Sequence, residues 1–104
     1  MESNFKQWMQ DNYSHNVLAD IANHGCTGGV GGMIYYSDTE RIYKHFALEL
    51  HDIIAEYKYQ FGEMPCCIIQ DLDNYPSFVN SMVWFGAEWA AYELTGGEYI
   101  EEAA

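Results

Sequence analysis

The sequence predicts a small all-α domain, a single-domain helical bundle with one long central helix and a glycine-rich interhelical loop. Apolar residues recur at the i, i+3, i+4, i+7 spacing of helices in several segments. The 104 residues are 49% hydrophobic and 16% aromatic, enough for one core. No repeat, linker or low-complexity segment divides the chain, so residues 1–104 are expected to form a single acidic helical domain.

Two short helices are predicted at the start of the chain. The first has an apolar stripe at helical spacing, formed by Phe5, Trp8, Met9 and Tyr13. The second begins near Ser14 or Asn16, and its apolar face is formed by Val17, Leu18, Ile21 and Ala22. Gly25 is well placed to end this helix, because glycine readily adopts the left-handed conformation of a helix C-terminus.

The stretch that follows, "NHGCTGGVGGMIYY" at residues 23–36, has the glycine content of a phosphate-binding loop. A Walker loop, however, requires a lysine after its last glycine, and Met33 follows Gly32 here. A dinucleotide-binding loop requires a preceding strand and G-x-G-x-x-G spacing, and the stretch has neither. We therefore interpret it as a sharp bend between helices and expect no cofactor.

Metal and thiol chemistry were the other candidates for this stretch. His24 and Cys26, even with Cys66 and Cys67, lack the paired C-x-x-C spacing of structural zinc sites. The adjacent cysteines are expected to be buried as small hydrophobic residues. Cys26 beside His24 is the one pair suited to thiol catalysis, but acidic surroundings oppose a thiolate. We expect no metal and no enzymatic activity, with a thiol- or metal-dependent enzyme left as a third alternative.

The clearest predicted element is a helix of about 24 residues beginning at Ser37. "SDTE" is a capping box in which Ser37 and Glu40 satisfy each other's backbone amides. Gly62 ends the helix. Its apolar stripe consists of Tyr43, Phe46, Ala47, Leu50, Ile53, Ile54, Tyr57 and Phe61.

The last third of the chain predicts two further helices. Pro65 suits the first turn of a short helix in "MPCCIIQDL", and Asn74 with Pro76 starts the last one. Gly96 and Gly97 end that helix. Two apolar stripes run along it: Phe78, Met82, Phe85, Trp89 and Tyr92, and beside them Val79, Val83, Ala90 and Leu94. A helix that is apolar over so much of its surface is central to a bundle or part of a homodimer interface.

The charge is the strongest guide to function. Sixteen acidic and four basic residues give a formal net charge of -12 and a pI near 4.3. Nucleic acid is disfavoured as a direct partner because its backbone requires cationic groups, and anionic membranes are disfavoured for the same reason. Such a charge favours steered encounter with a basic protein surface. With no secretion signal and no apolar stretch of ~18 residues, a cytoplasmic location is expected.

The long helix carries a regular set of carboxylates. Glu49, Asp52 and Glu56 follow i, i+3, i+7 spacing and are expected to form one exposed column. Their separation of about 4.5–6 Å along the axis is within a factor of about two of the charge spacing of a nucleic-acid strand. Further acidic candidates for partner binding are Asp38, Glu40, Asp71 and Asp73, and the aromatic candidates are Tyr35 and Tyr36.

Three stretches together resemble a family of small phage and mobile-element proteins that is known only as a domain of unknown function. They are "LADIANHGC", "GMIYYSDTERIYKHF" and "FVNSMVWFGAEWAAYEL", and the resemblance covers roughly residues 17 to 95. The matching positions are Ala22, His24, Gly25, Cys26, Gly32, Ile34, Tyr35, Tyr36, Asp38, Thr39, Tyr43 and Trp84 through Glu88.

The resemblance supplies a context but no reaction. Small acidic proteins of phages and plasmids look like anti-defence factors, among them anti-CRISPR and anti-restriction proteins. The resemblance therefore implies that the protein inhibits a host defence complex, either a Cas effector or a restriction enzyme. The inhibitor would block a basic surface of that complex by acidic complementarity or nucleic-acid mimicry. The alternative is a structural or regulatory phage protein that acts as a homodimeric interaction module.

Overall fold

A computed structural model describes residues 4–24 and 36–96 of the chain. These residues form α1 (Asn4–Asn12), α2 (His15–His24), α3 (Tyr36–Phe61), α4 (Cys66–Gln70) and α5 (Tyr75–Leu94). No strand occurs within these two ranges, so the prediction of a small all-α domain is confirmed. The glycine-rich bend, with the predicted cap at Gly25 and the thiol of Cys26, lies outside the described residues.

The last helix, α5, occupies the centre of the bundle. It packs against α1, α2, α3 and α4, most extensively against α3 and α2. This arrangement explains why both of its stripes are apolar, since each meets a neighbouring helix. The residues that it buries include Val79, Met82, Val83, Ala87, Ala90 and Ala91.

The long helix α3 is present as the sequence predicts. It starts at Tyr36, one residue before the predicted cap Ser37, whose side chain is outside the described part of the chain. Its end is set by Gly62, where φ of +89° is the left-handed conformation that glycine tolerates. The sequence did not predict the kink at Phe46, where φ of -119° and ψ of 23° leave the helical region.

Contacts from both α3 and α5 hold α1 in place. The backbone N–H of Phe5 donates to Glu49 Oε1 at 2.8 Å, which satisfies an amide in the first turn of α1. Lys6 Nζ lies 2.5 Å from Glu93 Oε1 of α5. The Phe5 ring packs edge-on against Phe46 at a centroid distance of 5.2 Å, so α1 meets α3 at the kink.

Short helix α4 and the start of α5 also follow the predicted pattern. Pro65 directly precedes α4, and the side chain of Asn74 caps α5 by accepting from the Ser77 N–H at 3.3 Å. The expected burial of the cysteine pair is wrong, because both Cys66 and Cys67 are exposed. Only one side of a five-residue helix faces α5, and Ile68 occupies that side.

The crossing of α3 and α5 is close because of Gly86. A Cβ atom added at Gly86 would lie 2.5 Å from Leu50 Cδ2, well inside van der Waals contact. Leu50 is fully buried, so its side chain has little room to move away. The absence of a side chain at Gly86 therefore allows the two helices to reach this separation.

We expect Gly86→Val to lower the free energy of unfolding by about 1–3 kcal/mol, because the added atoms overpack the crossing. Leu50→Ala is expected to cost about 2–5 kcal/mol through the cavity that it leaves. In the double variant the valine fills part of that cavity, so the combined loss should be smaller than the sum. Urea denaturation of the four proteins measures each value.

Ala55→Val provides the control, because Ala55 lies on the exposed side of α3. Its effect is expected to stay within about 0.5 kcal/mol. Strictly additive losses for Gly86→Val and Leu50→Ala would show that the two positions do not share the same space.

Candidate functional site

Two of the predicted acidic residues have their charges offset within α3. Asp38 Oδ1 lies 3.3 Å from Arg41 Nη2, and Glu40 Oε2 lies 3.2 Å from Lys44 Nζ. In each pair the two partners lie one helical turn apart on the exposed surface, so each ion pair contributes little to stability. Their main effect is electrostatic, since the first part of α3 carries carboxylates and cations side by side.

Two other predicted residues have internal hydrogen-bonding roles. Glu49 is partly buried by its bond to the Phe5 amide and therefore differs from the exposed position expected for it. Asp71 is also partly buried and accepts from Ser81 Oγ at 2.6 Å, which ties the turn after α4 to α5. Removing either carboxylate would leave its donor without this acceptor, so neither is a simple surface charge.

Three predicted carboxylates, those of Asp52, Glu56 and Asp73, are exposed. None of the three forms an ion pair with another described residue. Asp52 and Glu56 lie one turn apart on α3. Tyr35 lies outside the described residues, and Tyr36 is described only as the first residue of α3.

Apolar side chains accompany these carboxylates on α3. Leu48 is 82% exposed and Tyr59 is 89% exposed. Leu48, Asp52 and Tyr59 occupy positions i, i+4 and i+11 of α3, so their side chains share the outward face of the helix. The exposed surface of the second half of α3, here called the acidic face, is therefore defined by Leu48, Asp52, Glu56 and Tyr59.

A separate cavity of about 210 Å³ lies between α2, α3 and α5. Helix α2 contributes one small residue, α3 contributes its C-terminal rings, and α5 contributes one stripe at i, i+3, i+4, i+7 spacing. The residues that line it are Ala22, Tyr57, Phe61, Phe85, Glu88, Trp89 and Tyr92.

The rings of this aromatic cavity pack on one another at defined angles. Tyr57 meets Phe85 at 4.9 Å and 83° and meets Trp89 at 5.5 Å and 90°. Trp89 stacks on Tyr92 at 5.1 Å and 25°. Edge-to-face and stacked pairs of this kind are favourable, so the rings form a rigid wall.

Glu88 is the charged residue among those that line the aromatic cavity. It is partly buried, and it forms no hydrogen bond or ion pair with any described residue. Burial raises the pKa of its carboxyl from the usual 4.5 to about 7, because the ionised form loses hydration there. The indole N–H of Trp89 is likewise buried without a partner among the described residues. Two residues that line the cavity, Glu88 and Trp89, thus have polar groups with no hydrogen-bond partner among the described residues.

Glu88 is not among the site residues that the sequence predicts. In the sequence it belongs to the family-like Trp84–Glu88 segment, and Phe85, Trp89 and Tyr92 belong to an apolar stripe. The available signal was the helical spacing, which puts Glu88 beside Phe85, Trp89 and Tyr92 on α5. A carboxylate inside an aromatic stripe is costly unless it is paired, and such cost often marks a functional position.

Histidine, cysteine and acidic side chains elsewhere among the described residues are the remaining candidates for metal binding. No group of three His, Cys, Asp or Glu side chains among them is arranged to hold a metal ion. His45 and His51 are exposed, and His51 Nε2 lies 2.8 Å from the Tyr43 hydroxyl. Burial, with a smaller effect from Tyr75, raises the pKa of Tyr43. A raised pKa disfavours the phenolate form of Tyr43.

Comparison with known proteins identifies the family of the chain. Residues 1–102 match the family described as "Domain of unknown function (DUF7222)", and the chain belongs to this family. No curated protein and no solved structure matches it. Within residues 4–24 and 36–96, no helix has both the length and the apolar character needed to cross a membrane.

We expect Glu88→Gln to stabilise the protein in a pH-dependent manner. The carboxyl pKa is higher in the folded state, so the folded protein binds this proton more tightly than the unfolded chain does. The stabilisation that results from the bound proton is lost as pH rises from about 4.5 through 7. Glutamine removes this loss. Its advantage should be small at pH 5 and, after allowance for solvent screening, about 1–2 kcal/mol at pH 8.

Thermal unfolding at both pH values measures the difference, with Glu56→Gln as the control. That variant makes the same change in net charge at an exposed position. An equal gain for both variants at pH 8 would mean that reduced overall repulsion, and not burial of Glu88, is responsible.

Proposed function

We propose that this member of the DUF7222 family is an acidic binding protein that attaches stoichiometrically to a basic surface of another protein. The observation that supports the proposal is the uneven distribution of charge. Three of the four basic residues, Lys6, Arg41 and Lys44, are paired with carboxylates. The carboxylates of Asp52 and Glu56 are exposed and pair with no residue in the described part of the chain.

Unpaired exposed carboxylates give a surface a negative potential that attracts cationic surfaces over the Debye length. Asp52 and Glu56 lie about 6 Å apart along the α3 axis. This separation is within a factor of about two of the ~3.4 Å rise per phosphate of one nucleic-acid strand. A surface that normally holds nucleic acid is therefore a chemically suitable partner.

The acidic face also has the composition of an interface. Leu48 and Tyr59 expose large apolar areas beside the carboxylates. Tyrosine is enriched among the residues that dominate binding energy, because it buries much area with few rotatable bonds. Tyr59 is thus the aromatic anchor that we propose within the described part of the chain.

A narrower proposal follows from the resemblance to small proteins of phages and mobile elements. In that context the basic partner is a defence nuclease or surveillance complex, a Cas effector or a restriction enzyme, and binding inhibits it. Anti-CRISPR activity is the leading form of this proposal.

A homodimeric interaction module is the second candidate. The apolar surface of α5 suggested it, but α5 packs against four other helices of its own chain. The exposed Leu48 and Tyr59 now support it better, because apolar residues on one helix face also suit a second copy. Light scattering of the wild type and of the variant Leu48→Glu/Tyr59→Glu distinguishes a homodimer from a monomer.

We expect the double reversal Asp52→Lys/Glu56→Lys to weaken inhibition about tenfold or more, because two attractive contacts become repulsive. The assay expresses the protein in bacteria that carry one restriction or CRISPR system and measures the plating efficiency of a targeted phage. With a purified effector, inhibition of DNA cleavage by the wild type should also fall steeply as salt is added.

Asp11→Lys/Asp20→Lys is the matched control, since it changes the net charge by the same amount as the test variant but places the change on α1 and α2. Its inhibition should stay close to that of the wild type. Equal losses in the two double variants would remove the acidic face as the site. Absence of protection in every system tested, with folded protein present, would refute the anti-defence proposal.

A further inference from the structure

The aromatic cavity differs in kind from the acidic face. It is concave, it lies between α2, α3 and α5, and it holds one carboxyl, that of Glu88, among rings. No described residue pairs with this carboxyl. An unpaired charge beside apolar surface is stabilised when an opposite charge arrives, so the site is incomplete without a ligand.

The lining of the cavity selects a cation. Aromatic rings carry negative potential on their faces, and the carboxylate adds a full negative charge. The net charge of the chain, -12, attracts cations and repels anions. A phosphate or carboxylate ligand is therefore excluded on electrostatic grounds, and an organic cation is favoured.

Among organic cations, a guanidinium group fits best. It is planar, stacks on aromatic faces, is more weakly hydrated than an ammonium group, and donates two parallel hydrogen bonds to a carboxylate. The volume of about 210 Å³ is roughly seven times the share of one water molecule in the liquid. This space accommodates the four heavy atoms of guanidinium and part of the attached methylene chain.

We propose that the aromatic cavity binds the guanidinium group of an arginine side chain, with Glu88 as its counter-ion and the rings of Tyr57, Trp89 and Tyr92 as its walls. The proposal rests on the proposed function for the source of the arginine, which is the basic partner protein. The acidic face would attract that partner, and the cavity would select one of its side chains.

The test uses blocked amino acids and needs no partner protein. N-acetyl-arginine methylamide is titrated into the whole chain, and binding is followed by NMR shifts of the Ala22 methyl and the Trp89 indole. N-acetyl-citrulline methylamide is the matched probe, since it has nearly the same shape without the charge. We expect the arginine probe to bind at least tenfold more tightly than the citrulline probe.

Binding should also depend on pH, because the cation needs the ionised carboxylate. With the pKa of Glu88 near 7, affinity should be about tenfold weaker at pH 6 than at pH 8. The other titratable groups that line the cavity are the phenols of Tyr57 and Tyr92, and α2 contributes Ala22. Tyrosine phenols are uncharged in this pH range, so Glu88 alone accounts for the effect among them.

Variants separate this proposal from the proposed function. Glu88→Gln should lose at least tenfold in affinity for the arginine probe, whereas Asp52→Lys/Glu56→Lys should retain it. Equal binding of the arginine and citrulline probes, tighter binding of N-acetyl-lysine methylamide, or unchanged binding by Glu88→Gln would each overturn the guanidinium site. If the probe binds but no defence system is inhibited, the anti-defence proposal fails and the cavity assignment stands.

Discussion

The close crossing of α3 and α5 at Gly86 is the constraint on which the rest of the structure depends. Because position 86 has no side chain, Leu50 fills the space against the backbone of α5. The two helices then run together for long enough to bring the C-terminal rings of α3 beside the second half of α5. The contacts of Tyr57 with Phe85 and Trp89 follow from this crossing, and so does the aromatic cavity that they line.

The crossing also explains why α5 is apolar on several sides. A central helix must meet neighbours around most of its circumference, and α5 meets four of them. Glu88 is the exception within the stripe that lines the aromatic cavity. Its position there is energetically unfavourable in the free protein, because burial opposes ionisation and no described group compensates. Perturbed pKa values of this kind cluster at functional sites of proteins.

The carboxylates of the chain divide into groups with different physical roles. Glu49 and Asp71 accept hydrogen bonds that join separate helices, so they act within the fold. Asp38 and Glu40 are offset by neighbouring cations. Sequence spacing alone grouped Glu49 with Asp52 and Glu56, because an ideal helix places them on adjoining positions. The docking of α1 onto α3 separates them by covering Glu49.

Local chemistry was enough to determine the helices, the end of α3 at Gly62, the Asn74 cap and the sign of the net charge, because each depends on residues close in sequence. Tertiary packing alone decided that Glu49 is partly buried and that Cys66 and Cys67 are exposed. It also created the aromatic cavity, since Ala22, Tyr57 and Glu88 come from three helices far apart in the chain. Burial and pKa depend on such distant neighbours, and no local pattern encodes them.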